Sequence, residues 1–249
     1  MSRARLFKRA ADWVKNCIRT KEQVRETRER RRAFRFAFGQ LEERVVLDAD
    51  FSFDGVNVLM DNYASSGAEA LAVSETATHY EFTLNEGVWT GSDGSGVAGN
   101  GLSTLSVEKS SGVQTITSDG SGINVEFAAV DFGSAGTVTD IDFTAGDITQ
   151  TGAIDASTVN AGFSGTTITL NNAANDFDVV NLASVAAAEI VEQDGMTVND
   201  AVASDRVILE TVAGDLTLTG NIVSPNGLML LSGNSIIQTS GTVTDPSAF

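Results

Sequence analysis

Apolar positions recur at two different periods along this chain. Between residues 3 and 34, Leu6, Ala10, Trp13, Val14, Cys17 and Ile18 fall three or four apart and form one stripe, the pattern of an amphipathic helix. Glu22 with Arg25, Glu26 with Arg30 and Glu29 with Arg32 extend it at helical ion-pair spacing, although the stripe itself fades after Val24. At Phe34, Phe36 and Phe38 the period drops to two, and Gly39 ends that run before the compact block Leu41–Leu47.

From Val45 onward the signals are those of strands. Candidates are Val56–Met60, Tyr80–Leu84, Leu102–Val107, Val113–Thr117, Ile123–Phe127, Val138–Phe143 and Ile168–Leu170. Glycine-rich turns at Gly91–Gly101 and Ser118–Gly122 separate them, and only Ala183–Glu192 also reads as a helix. A repeat lies over this pattern. GDITQTGAI (146–154) returns as GDLTLTGNI (214–222), and a more diverged copy follows as IIQTSGTV (236–243). Apolar pairs such as Phe177/Val179, Ile190/Val191, Val207/Leu209, Leu216/Leu218 and Leu228/Leu230 fall roughly every ten residues. Two or three short strands per coil of about twenty residues predict an all-β chain wound as a parallel β-helix. With coils about 4.8 Å apart, residues 45–249 would make about ten coils and a rod on the order of 50 Å.

Charge divides the chain at the same place. Fourteen of the 16 Lys and Arg residues lie within residues 1–44, leaving Lys109 and Arg206 against 27 Asp and Glu in the remainder. The first segment carries about +8 and the rest −25, giving the net −17. The expected organisation is a basic helical leader over 1–44 and a β-helix domain over 45–249. So acidic a body repels nucleic acid and anionic membranes, while attracting divalent cations. The basic segment, with its arginines and alternating phenylalanines, suits an anionic membrane surface or export machinery better than nucleic acid. Cys17 is the single cysteine, which excludes an intrachain disulfide and a cysteine-based zinc site. No apolar run reaches the roughly eighteen residues of a membrane span, and Asp12 and Lys15 break the stretch where a signal peptide would lie. The chain stops at Asp245-Pro246-Ser247-Ala248-Phe249 without an evident capping element, so an uncapped or truncated final coil is expected.

Two resemblances follow from these residues. Leu41-Glu42-Glu43-Arg44-Val45-Val46-Leu47 resembles the LEPR-XLL motif found near the N-terminus of exported or surface proteins, notably of planctomycete bacteria. Leu41, Glu42, Arg44 and Leu47 match; Glu43 stands where proline is usual and Val46 where leucine is usual. The GDITQTGAI and GDLTLTGNI copies with ITLNNAANDF (168–177) are similar to the β-helix repeats of filamentous-haemagglutinin-like and autotransporter-type adhesins, and FTLNEGVWTGSDGSGVAGNGLSTLSV (82–107) looks like an N-terminal part of such a solenoid. The resemblance implies right-handed winding and a secreted or cell-surface, adhesin-like, non-catalytic module. Its partners would be surface polysaccharide or other envelope proteins.

Candidate chemistry is sparse. His79 is the single histidine, and neither a G-x-S-x-G stretch nor a Cys–His pair occurs in the body, so nucleophilic catalysis lacks its parts. Some parallel β-helices are polysaccharide lyases or hydrolases, which makes a carbohydrate-active enzyme the alternative reading. Its residues would be the cations Lys109 and Arg206 and the same-face pairs Asp140/Asp142 and Asp176/Asp178. Cofactors are not expected, apart from calcium at the two SDGSG turns, where Asp93 and Asp119 are the candidate ligands. Asn171, Asn172 and Asn175 are expected to fill turns or to stack inside the solenoid.

Overall fold

The computed structural model describes residues 48–63, 69–134 and 137–245, and all of its regular elements are strands. The expected basic helix and the Leu41–Leu47 block lie outside the described residues. The seven strand candidates each fall on an observed strand: six are shifted by a residue or two at their ends, while Ile168–Leu170 is only the last part of a strand that begins at Ile154.

The first seven strands are β1 (Asp48–Phe53), β2 (Asn57–Asp61), β3 (Ala70–Glu75), β4 (His79–Leu84), β5 (Val88–Gly91), β6 (Val97–Ala98) and β7 (Thr104–Glu108). β1 pairs in parallel with β5, but the other pairings among these seven are antiparallel, which corrects the expectation of parallel coils for the described residues of this stretch. β1 pairs antiparallel with β2, β3 with β4, and β7 with both β4 and β6. A tight turn at Asp54, whose Oδ1 accepts the N–H groups of Val56 and Asn57, sets the first hairpin. In-out alternation is the same for antiparallel and parallel strands, so the pattern alone does not distinguish them. Trp89 is fully buried here and donates its indole N–H to the Phe82 carbonyl (2.9 Å).

This hairpin-rich part covers the first turn of a solenoid. β2 and β3 pair in parallel with β8 (Thr115–Asp119) and β9 (Asn124–Phe127). The Tyr63 hydroxyl lies 2.8 Å from Ser118 Oγ, and Tyr80 packs on Phe132 with ring centroids 5.1 Å apart. β2 and β3 thereby cover the ladder edges of β8 and β9.

From β8 onward every pairing is parallel. The strands are β10 (Val130–Asp131), β11 (Asp140–Thr144), β12 (Asp147–Gln150), the 17-residue β13 (Ile154–Leu170) and β14 (Asp176–Glu192), and then β15 (Met196–Ala203) and β16 (Val207–Thr211). β17 (Leu216–Leu218), β18 (Ile222–Val223), β19 (Leu228–Ser232), β20 (Ile236–Gln238) and β21 (Val243–Thr244) complete the stack. Turn length varies along the chain: an early turn runs from Thr115 to Asp140, the shortest from Val179 to Thr197, and the later ones lengthen again, as from Thr217 to Ile237. The result is about six turns, which at about 4.8 Å each stack to roughly 30 Å. The expectation of ten coils counts residues 48–108 as solenoid and is corrected accordingly. Ala183–Glu192 is strand within β14: the stacked neighbours supply its hydrogen bonds, overriding the helix preference of alanine.

The core is built of in-register ladders. Ile116, Ile141, Ala161, Val180, Val198 and Leu218 lie one above another, as do Val125, Ile148, Ile168, Ala188, Val207 and Leu228. All but Leu228 are buried. Phe127 meets Phe143 and Phe163 edge-on at 4.9 and 6.2 Å, and Phe163 meets Phe177 at 6.1 Å. Burying each such side chain contributes roughly 1.5–3 kcal/mol, with about 0.5–1.5 kcal/mol more per well-placed ring pair.

The repeat copies sit differently from their sequence order. The first and second copies are not a whole number of turns apart, so Ile148 of the first stacks towards Val207 and Leu228, not Leu216 of the second. The second and third copies do stack: Leu216 pairs with Ile236 and Ile222 with Val243. All three share the requirements of a strand–turn–strand corner. Gly220 shows one of them, since a Cβ there would fall onto the Asn199 carbonyl of the turn below.

Candidate functional site

Asn175 fixes one corner of the solenoid. It is fully buried, and its Oδ1 accepts from the Ile154 N–H (3.0 Å) and Gln150 Nε2 (2.9 Å). Its Nδ2 donates to the carbonyls of Leu170 (3.1 Å) and Val191 (2.9 Å) and to Gln150 Oε1 (3.0 Å). Three successive turns are therefore tied to one amide. This is the expected internal asparagine, though it pairs with a glutamine and not with a ladder of its own kind. Asn171 and Asn172 occupy the neighbouring turn, where Asn172 Oδ1 accepts from the Ala174 N–H.

Carboxylates gather beside this corner. Asp176 opens β14 in register with Asp155, which is itself in register with Asp131, so an aspartate row runs along this edge. One turn on, Glu192 ends β14. The Gln193 N–H bonds the Asn175 carbonyl (2.8 Å), which places the following loop over the corner. That loop carries Asp194, whose N–H donates to Glu192 Oε1 (2.8 Å). Glu192 is fully buried, and its Oε2 has no hydrogen-bond partner. Carboxylate oxygens of Asp176, Glu192 and Asp194 lie within 4.8 Å of one another.

The electrostatics are one-sided. Burial pushes Glu192 up to about 7; the Asp194 N–H opposes the shift, while the Asp194 carboxyl and the Asp176 charge add to it. Asp176 is also raised, by burial first and then by Asp194, Asp155 and Asp178. Among the described residues, every side-chain charge that shifts these two is negative.

The residues singled out in the sequence lie elsewhere, with one exception. Asp93 Oδ1 accepts the N–H groups of Gly99 (2.9 Å) and Asn100 (3.0 Å), which hold its carboxyl below the usual range and make it a turn-former. Asp119 is exposed at the end of β8. The one group of three metal-ligating side chains among the described residues includes neither. His79 lies half-buried on β4 against Thr78 Oγ1 (2.9 Å). Lys109 pairs with Glu75 and lies over the Tyr80 ring (5.1 Å), Asp140 accepts from Asn160 Nδ2 (2.9 Å), and Arg206 is exposed before β16. Asp140 and Asp142 both face outward from β11, as their spacing predicts. Asp176 is the exception, but its partners are Glu192 and Asp194 and not Asp178. The signal that points to them is the turn length: Glu192 and Asp194 follow Asp176 by about one turn and so stack beside it.

Comparison with known proteins agrees with this architecture. No curated protein and no solved structure matches the chain. Residues 120–184, the turns from the end of β8 into β14, match a family model described as repeats of unknown function (DUF5649), so that stretch is similar to a known repeat and the chain is a repeat β-solenoid.

Proposed function

We propose that the protein is an exported or cell-surface structural module of adhesin type, acting without catalysis through weak contacts repeated along its solenoid. What carries the reading is the stacking itself. Turns in register repeat outward polar and acidic rows at about 4.8 Å, a spacing suited to multivalent contact with surface polysaccharide or other envelope proteins. The basic segment serves as the leader, with Leu41, Glu42, Arg44 and Leu47 as its address, and the winding is right-handed, as most parallel crossovers are.

A carbohydrate-active enzyme is the second reading, and the carboxylate group at Asp176 is the observation in its favour. Two features weigh against it. Glu192, whose carboxyl burial pushes up to about 7, is fully buried and offers no surface to a glycosidic oxygen. The oxygens also stand within 4.8 Å, closer than the roughly 5–5.5 Å or 6.5–9.5 Å that glycoside hydrolysis uses.

The test incubates the full chain with immobilised envelope polysaccharides from the source organism. It follows retention together with reducing ends and unsaturated uronates released. Retention without release supports the structural reading, release establishes the enzyme, and the absence of both refutes the polysaccharide contact. Fusing residues 1–48 to a reporter checks the address separately, and a reporter that stays in the cytoplasm refutes it.

A further inference from the structure

We propose that Asp176, Glu192 and Asp194 form a calcium-binding site that clips two successive turns of the solenoid together at one corner. Three observations converge on it. First, the group is assembled by the fold. Asp176 lies at the start of β14, Glu192 at its end and Asp194 in the loop beyond, and the Gln193 bond to Asn175 brings them together. Second, Glu192 is fully buried with one oxygen lacking any donor, while its other oxygen is held by the Asp194 N–H. A buried carboxylate oxygen without a partner is costly, and the carboxyl group that carries it has an oxygen within 4.8 Å of the other two carboxylates. Third, no cation among the described residues offsets the group: the further charges bearing on it are those of Asp155 and Asp178.

The ligand chemistry selects the ion. An all-carboxylate set is hard and oxygen-only, which suits calcium or magnesium over zinc or copper. Oxygens within 4.8 Å of one another can span a cation with metal–oxygen distances of about 2.3–2.6 Å. Magnesium, at about 2.0–2.1 Å with strict octahedral geometry, fits such a spread less well. Asp176 is half-buried and Asp194 exposed, so water can complete the coordination sphere. Binding would replace mutual repulsion between two turns by a shared counter-ion. Sites of this kind in extracellular modules bind with Kd of about 10⁻⁴–10⁻³ M, so the clip would close outside a cell and stay open in its cytoplasm.

The experiment titrates the chelator-treated full chain with calcium chloride at about pH 7.5 and constant ionic strength, read by calorimetry and by thermal unfolding, with magnesium chloride in parallel. One saturable calcium site with Kd in that range is expected, with magnesium at least tenfold weaker. Glu192→Gln and Asp194→Asn should each weaken calcium at least tenfold. Glu126→Gln, an exposed site on β9 with the same change in charge, should leave it unaltered. Should Glu192→Gln fail to fold, Asp194→Asn in its exposed loop carries the comparison. A calcium response no larger than that of matched monovalent salt would overturn the proposal and leave a proton shared between Glu192 and Asp194 as the account of the corner. Equal weakening by Glu126→Gln would overturn it as well, since calcium would then be held diffusely by the acidic rod.

Discussion

Replacing Asn175 by leucine tests the corner most directly. The two side chains are close in size, so the change removes hydrogen bonds while leaving little cavity. Four groups lose a partner: the Ile154 N–H, the Leu170 and Val191 carbonyls and the Gln150 amide. Gln150 keeps a bond to the Gly152 carbonyl, and each backbone carbonyl has a second lone pair, so the Ile154 N–H suffers most. At about 1–3 kcal/mol for each buried group left unsatisfied, the loss sums to about 3–5 kcal/mol. Urea unfolding of the full chain, with the slope compared between variants, gives the number. Hydrogen exchange at the Ile154 amide gives the location, since that amide should lose protection ahead of its neighbours. Asn175→Asp should be worse at neutral pH, because a carboxylate would face the two carbonyls beside Asp176 and Glu192. A loss below about 1 kcal/mol for Asn175→Leu, or an Ile154 amide as protected as before, would refute the view that one amide ties three turns.

Other outcomes follow from the same geometry. Phe163→Ala should cost about 3–5 kcal/mol in urea unfolding, because it empties a buried aromatic site and takes one ring contact each from Phe127 and Phe177; Val202→Ala, 43% exposed, should stay within about 0.5 kcal/mol. Gly220→Ala should cost about 2–3 kcal/mol through its clash with the Asn199 carbonyl, whereas Gly122→Ala, with open space around it, should be neutral or slightly stabilising. Without divalent cations, Glu192 holds its proton more tightly folded (about 7) than unfolded (4.5), so its contribution is full below 4.5 and is lost as pH rises through 7. Wild-type stability should therefore fall relative to Glu192→Gln across that window, and parallel pH profiles of melting temperature would contradict it.

Much of this fold is legible in the sequence, because a solenoid writes its period into the order of residues. Regularly spaced apolar pairs give the turn length, and the strand candidates land where strands form. What misleads is phase. GDITQTGAI and GDLTLTGNI look like stacked copies, yet the stretch between them carries the chain three turns and part of a fourth, so their likeness reports shared corner chemistry. The antiparallel hairpins of β1–β7 are hidden because alternation says which side of a strand is buried and not which strand lies beside it. The carboxylate group is half-visible for a related reason. Asp176 stands out by its neighbour two places away, but in a stacked fold the relevant neighbour is a full turn away, and turn length here is not constant.

That variation has a consequence for how such a chain can change. Ile141 and Phe143 stand two places apart, as do Ala161 and Phe163 and Val180 and Leu182. In the later turns the same two ladders are joined by Val198 and Ala201, Leu218 and Ile222, and Gln238 and Val243, so the connecting segment lengthens by a residue at each step. The ladders on either side keep their register throughout. One edge of the molecule is thus free to grow or shrink while the hydrogen-bonded stack holds still. Natural variation or deliberate grafting at residues 239–242 can therefore rewrite what the rod presents without asking the rest of the chain to refold.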